Sequence, residues 1–130
     1  MWQEIKFFDD ALPPSPPLPE PVRGACGAWA EFRGYVRAAE NGAAIHGLRY
    51  EIYPAMAEKR LTAHFQELAA RYPVQAVRFW HRTGLVKVGE AAVYAAIASP
   101  HRKEAFAALA ELMDRLKTDV PIWKAEAIPA

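Results

Sequence analysis

Residues 91–116 read AAVYAAIASPHRKEAFAALAELMDRL, and this stretch decides the fold because it joins a strand to a helix. The nearly all-apolar segment 91–99 predicts a well-buried strand. Ser99 and Pro100 predict the start of a helix, with the serine as N-cap and the proline in the first helical position. Apolar residues at helical spacing then predict one buried face, on a helix that ends before Pro121. That face consists of Ala105, Leu109, Leu112, Met113 and Leu116.

The rest of the chain alternates between strand and helix patterns in the same manner. Another helix is predicted from Pro54 to a stop at Pro73, because apolar residues recur at helical spacing between them. Those residues are Leu61, Phe65, Leu68 and Tyr72. The predicted strands span 2–8, 24–36, 45–53, 74–81 and 121–126, with a turn at 40–42 and a connection punctuated by Gly84 and Gly89. This order predicts an α+β fold in a single domain, residues 1–130.

Length and charge limit the classes of function that the chain can have. Its 130 residues make one domain. The 16 Lys and Arg against 15 Asp and Glu leave a net charge of +1, which argues against a bulk binder of nucleic acid or anionic membrane. The lone Cys26 excludes an intramolecular disulfide and favours a reducing compartment. No signal-peptide pattern opens the chain, and its longest apolar run, 91–98, falls far short of the roughly 20 residues of a membrane helix, so we expect a cytoplasmic protein.

The segment between the first two predicted strands is rich in proline, with six of the eleven prolines between Pro13 and Pro21. Proline lacks the N–H group that a helix or a central strand requires. We therefore expect residues 9–23 to form an extended, proline-rich surface connector.

The predicted helix after Ser99 carries His101, Arg102 and Lys103 in its first turn. The helix dipole places partial positive charge there, so each exposed cation costs about 0.3–1 kcal/mol. Free backbone N–H groups together with a histidine and an arginine suit a bound anion such as a phosphate. The alternative is that these side chains turn into solvent or pair with carboxylates elsewhere, and this pattern alone leaves both interpretations open.

Other polar residues carry weaker signals on their own. Lys117 lies in the last turn of a predicted helix, where the dipole favours a cation, and Lys124 has the pattern of a surface lysine. We expect His64 to face solvent or the edge of its helix, and His81-Arg82 to be structural or part of an interface. The four histidines show no pair at metal-ligand spacing, and no nucleophile or nucleotide-binding motif is present, so we expect no metal site.

Five blocks of sequence, in order, resemble the large, catalytic subunit family of molybdopterin synthase. They are FRGYVR (32–37), LRYEIYPAMA (48–57), HRTG (81–84), SPHRKEAF (99–106) and LKTDVPIWKAE (116–126). The resemblance runs from about Gly24 to Glu126. It departs from the family before Gly24, where the proline-rich connector replaces a longer segment that contains a helix, and at Ala125, which replaces a commonly basic residue.

The resemblance implies an α/β hammerhead fold with an additional small antiparallel sheet, in a homodimer. It also implies a partner for each protomer, a small ubiquitin-like subunit whose C-terminal Gly-Gly carries a thiocarboxylate. That tail would donate sulfur to cyclic pyranopterin monophosphate, and two transfers would form the dithiolene of molybdopterin. The large subunit would need no metal or other cofactor of its own.

The resemblance also assigns roles to individual residues. It matches Lys117 and Lys124 to two lysines beside the reacting centre and the tail of the small subunit. For these two catalytic residues we expect Lys117 to position the thiocarboxylate and stabilise negative charge, and Lys124 to transfer a proton or assist the leaving group. The residues that it implies for substrate binding are Arg37, His101, Arg102, Tyr35, Val36 and Glu126, with the His-Arg pair acting across the dimer interface. Two other interpretations stay open, a non-catalytic paralogue acting as a dimeric binding or scaffold protein and an unrelated α+β domain that binds a small phosphorylated ligand.

Overall fold

The computed structural model describes all residues 1–130 and contains eight strands and two helices. In chain order the elements are β1 (Trp2–Phe8), β2 (Ala28–Tyr35), β3 (Ala39–Glu40), β4 (Ala43–Ile52), α1 (Pro54–Arg71), β5 (Ala76–Arg82), β6 (Gly84–Lys87), β7 (Ala91–Ser99), α2 (Arg102–Asp119) and β8 (Ile122–Pro129). Neither α1 nor α2 combines the length and apolarity that crossing a membrane requires. The predicted α+β class is confirmed.

Four strands form the larger sheet, in the order β1-β5-β7-β2. β1 and β5 are parallel, whereas β5, β7 and β2 are antiparallel neighbours. α1 and α2 pack on one face of this sheet, where their apolar residues form the main core. That core includes the predicted helix residues Leu61, Phe65, Leu68, Ala105, Leu109 and Leu112. β2 is the last strand of the sheet, so one of its hydrogen-bonding edges is free.

The opposite face of the larger sheet is covered by the proline-rich segment. Residues 9–23 contain no strand and only a single 3₁₀ turn, Glu20–Val22. Arg33 Nη2 donates a hydrogen bond to the Pro13 carbonyl at 2.6 Å, and Arg78 Nη1 donates to the Pro17 carbonyl at 3.3 Å. With a layer on each side, β5 and β7 are almost completely buried, as the apolar pattern of 91–99 predicts.

The smaller sheet is built around β4, which pairs with β6 on one edge and with β8 on the other, while β3 pairs with its first residues. Asn41 and Gly42 join β3 to β4 with φ angles of 50° and 80°, the left-handed conformation of a two-residue hairpin turn. This sheet has its own small core of Val36, Ile45, Leu48, Val86 and Ala92. It is the additional antiparallel sheet that the resemblance implies.

The start of α2 differs from the prediction. The helix begins at Arg102, and Ser99 is not its N-cap. Ser99 is instead the last residue of β7, where it pairs with Ala28 of β2 and is buried. The N-cap residue is His101, whose backbone is extended (φ −133°, ψ 151°) and whose side chain makes no capping hydrogen bond. Strand pairing therefore extends the sheet through the residue that the capping pattern assigns to the helix.

Several strands also differ from the prediction. A connection is predicted where β6 forms, because four residues are too few to show an alternating pattern and the partner strand β4 is remote in sequence. β8 continues past the predicted end at 126 to Pro129, because it pairs with β4 as far as Ile45, near the start of that strand. β2 begins at Ala28 and not at Gly24. The residues between the 3₁₀ turn and Ala28 do not pair with β7, apart from one hydrogen bond from the Gly27 N–H to the Ser99 carbonyl.

The helix α2 runs along β2 in the same direction, which decides where the candidate site residues lie. Near its start, Arg102 shares a surface cavity with Ala28, the first residue of β2. Further along, Leu109 and Met113 line a neighbouring cavity with Phe32. The C-terminal end of α2 therefore lies towards the C-terminal end of β2.

Candidate active site

Lys124 lies on β8 opposite Tyr50 of β4 and is held by an ion pair. Its Nζ is 3.0 Å from Oε2 of Glu40, on the neighbouring hairpin. The lysine side chain is half exposed, so this pair adds little to stability, about 0–1 kcal/mol at most. Its consequence is geometric, because it restricts a long, flexible side chain to one orientation.

The strand around Lys124 is irregular. Tyr50 pairs with Lys124 and its neighbour Arg49 pairs with Glu126, which leaves Ala125 as an extra residue in a β-bulge. Bulges change the direction in which side chains leave a strand, and they occur often beside active sites. Glu126 accepts a hydrogen bond from Arg49 Nε at 3.2 Å, and both side chains are exposed.

Lys117 lies in the last turn of α2 and is exposed. Its side chain makes no hydrogen bond or ion pair within the chain, and the helix dipole favours a cation at this end. α2 ends at Asp119 and β8 begins at Ile122, so Lys117 and Lys124 flank the same short turn. The two candidate catalytic residues are therefore at one end of the molecule.

Residues 35–37 follow β2 towards that same end. Val36 is buried in the core of the smaller sheet, and its backbone N–H donates to the Glu90 carbonyl while its own carbonyl accepts from the Gly89 N–H. Tyr35 and Arg37 on either side are exposed. Val36 thus anchors the segment, and its two neighbours present their side chains to solvent.

His101 and Arg102 lie at the opposite end of α2. Both are exposed, and neither side chain has a hydrogen-bonding or ionic partner within the chain. A rise of 1.5 Å per residue puts Arg102 about 22 Å from Lys117 along the helix axis. One chain by itself does not bring the predicted anion-binding pair together with the two lysines.

Most of the arginine side chains have an acceptor within the chain, and two do not. Eight of the ten make an ion pair or a hydrogen bond with an acceptor in the chain: Arg23, Arg33, Arg49, Arg60, Arg71, Arg78, Arg82 and Arg115. The other two are Arg37 and Arg102, both predicted to bind substrate. A guanidinium is always charged and carries five N–H donors, so these two are available to an anionic ligand.

Two residues near Lys124 escape prediction from the sequence. Glu40 is the last residue of β3, 84 residues before the lysine that it pairs with, and no local pattern marks it. Tyr50 packs edge-on against the His81 ring. The pKa of Tyr50 is raised, first because burial disfavours the phenolate and then because the Glu40 carboxylate is near.

Of the three histidines outside the predicted site, His46 is exposed, whereas His64 and His81 are buried. Burial lowers the pKa of His81 to about 4, and its Nδ1 lies 2.7 Å from the Arg82 carbonyl, to which the neutral ring donates. This is a structural role. The prediction that His64 faces solvent or the helix edge is wrong, because its ring lies between α1 and α2 in contact with Asp119 and Arg115.

Comparisons with known proteins show the family to which the chain belongs. The family model described as MoaE protein matches residues 17–119. The molybdopterin synthase catalytic subunit of Staphylococcus carnosus is 43% identical over 100 residues, which cover 77% of this chain and 67% of that protein. The corresponding subunit of Oryza sativa subsp. indica is 41% identical over 102 residues, covering 78% of this chain and 53% of that protein. The chain thus spans between about half and two thirds of the length of these relatives.

Solved structures give the same result. The crystal structure of molybdopterin synthase from Staphylococcus aureus superposes with a TM-score of 0.80 at 32% identity, covering 95% of this chain and 90% of that one. A MoaE protein from Burkholderia ambifaria gives a TM-score of 0.76 at 31% identity, with 97% and 83% covered. The fold also matches a complex of subunits 1 and 2 of molybdopterin-converting factor from Helicobacter pylori, at a TM-score of 0.73 and 22% identity. The chain belongs to the MoaE family, whose named relatives are molybdopterin synthase catalytic subunits.

Proposed function

We propose that this protein catalyses sulfur transfer, as the catalytic subunit of a molybdopterin synthase. The sulfur donor is the thiocarboxylated C-terminus of a small ubiquitin-like subunit, and the acceptor is cyclic pyranopterin monophosphate. The observation that carries the proposal is that Arg37 and Arg102, alone among ten arginines, have no acceptor within the chain. An anionic pterin monophosphate is a ligand that would supply those acceptors.

The role assigned to Lys117 follows from its lack of an ionic or hydrogen-bonding partner within the chain. Attack by a thiocarboxylate builds negative charge on an oxygen, and an ammonium group next to that oxygen stabilises it. Lys117 has no internal partner to compete for its charge, and it stands at the exposed end of a rigid helix. We assign to it the binding of the thiocarboxylate and the stabilisation of this charge.

Lys124 has a different environment and a different role. Its ammonium group is already aimed by Glu40, and the bulge at Ala125 sets the direction of the strand beside it. An oriented ammonium can donate a proton to a leaving group. We assign proton transfer to Lys124 and place Tyr35, Val36 and Glu126 along the same pocket.

The distance between the two groups of cations supports a shared site. Arg102 and Lys117 are about 22 Å apart in one chain, too far to contact one small substrate. A two-fold axis across β2 would set the start of one α2 beside the end of the other. The free edge of β2 and the exposed Phe32 and Phe106 form an apolar surface for such a homodimer, beside a cavity of about 410 Å³. We propose that each site takes its lysines from one protomer and His101 with Arg102 from the other.

The partners and compartment follow from the same proposal. The relevant Helicobacter pylori structure is described as a complex of two different subunits, which supports a small-subunit partner for this family. A single free cysteine, Cys26, is compatible with the reducing environment of the cytoplasm.

The direct experiment mixes the purified protein with a thiocarboxylated small subunit and cyclic pyranopterin monophosphate and measures molybdopterin. We expect product to accumulate only when all three components are present. A non-catalytic paralogue would bind the small subunit and yield no product. An unrelated domain for small phosphorylated ligands would bind the precursor and ignore the small subunit.

A further inference from the structure

The last residue of α2, Asp119, carries a charge of the wrong sign for its position. The C-terminus of a helix has partial negative charge, so a carboxylate there is disfavoured. In this chain Asp119 Oδ1 lies 2.6 Å from His64 Nε2, and its other oxygen lies 3.9 Å from Arg60. The hydrogen bond from His64 is the main reason why the pKa of Asp119 is lowered. The contacts from His64 and Arg60 of α1 therefore offset the unfavourable interaction of the Asp119 carboxylate with the dipole of α2.

The hydrogen bonds of His64 fix which nitrogen carries the proton. Its Nδ1 is 3.2 Å from Arg115 Nη1, and a guanidinium can only donate. Nδ1 is therefore the acceptor, and Nε2 carries the hydrogen that is donated to Asp119. Arg115 is held in turn by Glu67 of α1 and Glu111 of α2. The buried imidazole thus joins two fixed groups in one defined orientation.

This chain of contacts ends next to Lys117. Asp119 is two residues further along α2, and the intervening Thr118 donates from Oγ1 to the Arg115 carbonyl at 2.7 Å. The side chain of Lys117 makes no contact that would hold it. Its location is set by the backbone of the last helical turn, and His64 is the buried group that attaches this turn to α1.

We propose that His64 is a positioning residue for sulfur transfer: through Asp119 it fixes the last turn of α2 and so places the Lys117 ammonium group. The inference rests on the function proposed above and adds a residue outside the five blocks of resemblance. It requires no contact between His64 and the substrate.

The test compares two substitutions of His64 with a control in the same helix pair. His64→Leu removes both hydrogen bonds, whereas His64→Gln retains an amide that can donate to Asp119. Arg71→Gln is the control for helix packing, because it removes an ion pair of 2.7 Å with Glu111 between α1 and α2 while Arg115 keeps both of its carboxylate partners and His64 keeps both of its hydrogen bonds. The readouts are kcat and KM for molybdopterin formation with the thiocarboxylated small subunit, and amide hydrogen exchange of residues 116–119.

We expect His64→Leu to lower kcat about tenfold with little change in KM, since a small displacement of a catalytic group is sufficient for such a loss. His64→Gln should recover most of kcat, and Arg71→Gln should match the wild type. Amide exchange in residues 116–119 should quicken in His64→Leu alone.

Several results would overturn the inference. Wild-type kcat in His64→Leu would do so, and so would an equal loss in Arg71→Gln, which would indicate a general loss of helix packing. If His64→Leu fails to fold, Asp119→Ala removes the same contact at an exposed position and must show the same loss of kcat. A wild-type protein that makes no molybdopterin would refute the proposed function, whereas the exchange measurement would still report on the hydrogen-bonded attachment.

Discussion

Both ends of α2 carry charges that the helix dipole disfavours, but only the charge at the C-terminal end has partners within the chain. At the C-terminal end, the carboxylate of Asp119 is met by His64 and Arg60 from α1. At the N-terminal end, His101 and Arg102 meet no acceptor in the chain. A disfavoured charge that has an internal partner is part of the architecture, whereas one without a partner marks a place where a ligand or another chain supplies it.

The largest effects are expected from the lysines near the C-terminal end. Lys117→Ala should lower kcat for molybdopterin formation about a hundredfold or more, the scale seen when one group stabilising a developing oxyanion is removed. Lys124→Ala should be similarly damaging. Lys59→Ala, at an exposed position of α1, is the matched control. Near-normal conversion by both Lys117→Ala and Lys124→Ala would refute the catalytic assignment.

At the N-terminal end, function and stability should move in opposite directions. Arg102→Ala removes a charge-assisted contact to the substrate, so KM for cyclic pyranopterin monophosphate should rise about tenfold. The same change removes an uncompensated cation from the helix start and should stabilise the free protein by about 0.3–1 kcal/mol. Steady-state kinetics and urea unfolding measure the two effects. A loss of stability in Arg102→Ala would mean that the guanidinium has an internal partner after all.

Glu40→Gln should have a smaller effect on kcat, because it alters only the orientation of the Lys124 side chain. The glutamine keeps an oxygen that can accept from Lys124 but loses the ion pair of 3.0 Å. We expect kcat to fall by a factor of about three and stability to change by less than about 1 kcal/mol. Arg23→Gln, which removes an exposed ion pair with Glu20 in the proline-rich segment, is the control. A kcat unchanged in Glu40→Gln would show that the bulge alone sets the direction of Lys124.

The smallest effect is the pH dependence of the stability that Asp119 contributes at the C-terminal end of α2. Because the pKa of Asp119 is lowered in the folded protein, its contribution to stability is present above its ordinary pKa of 3.8 and is lost as the pH falls through the folded value. Asp119→Asn should therefore be less stable than the wild type at neutral pH, and the difference should shrink at about pH 3. Thermal unfolding at both pH values measures it. A constant difference would contradict the assigned pKa direction.

Local patterns in the sequence predict much of this fold. The periodic apolar residues of α1 and α2, such as Leu61 and Leu109, do form the core, because burial of one helix face follows directly from spacing. The hairpin turn at Asn41 and Gly42 is also correct, since its backbone conformation favours these residue types. The predicted start of α2 is wrong by two residues, because pairing of Ser99 with β2 outweighs its capping preference.

The site is less accessible to such reasoning, since its contacts join distant parts of the chain. The cations at the start of α2 are visible because they break a rule within one helical turn. The Lys124–Glu40 pair and the His64–Asp119 contact depend on how strands and helices meet, and neither has a local signature. Only the ordered blocks shared with a family point to Lys117 and Lys124.

The most direct measurement of the shared site uses mixed dimers. Arg102→Ala and Lys117→Ala protein would be unfolded together, refolded and assayed for molybdopterin formation at a cyclic pyranopterin monophosphate concentration well below KM, where a tenfold rise in KM leaves Arg102→Ala with about a tenth of wild-type activity. If each site combines Lys117 of one protomer with Arg102 of the other, random pairing leaves one site intact in every mixed dimer, and activity should recover to about a quarter of the wild-type value. If both residues act within one protomer, every site carries a defect. The mixture would then be no more active than the two variants measured separately, and the proposed shared site would be wrong.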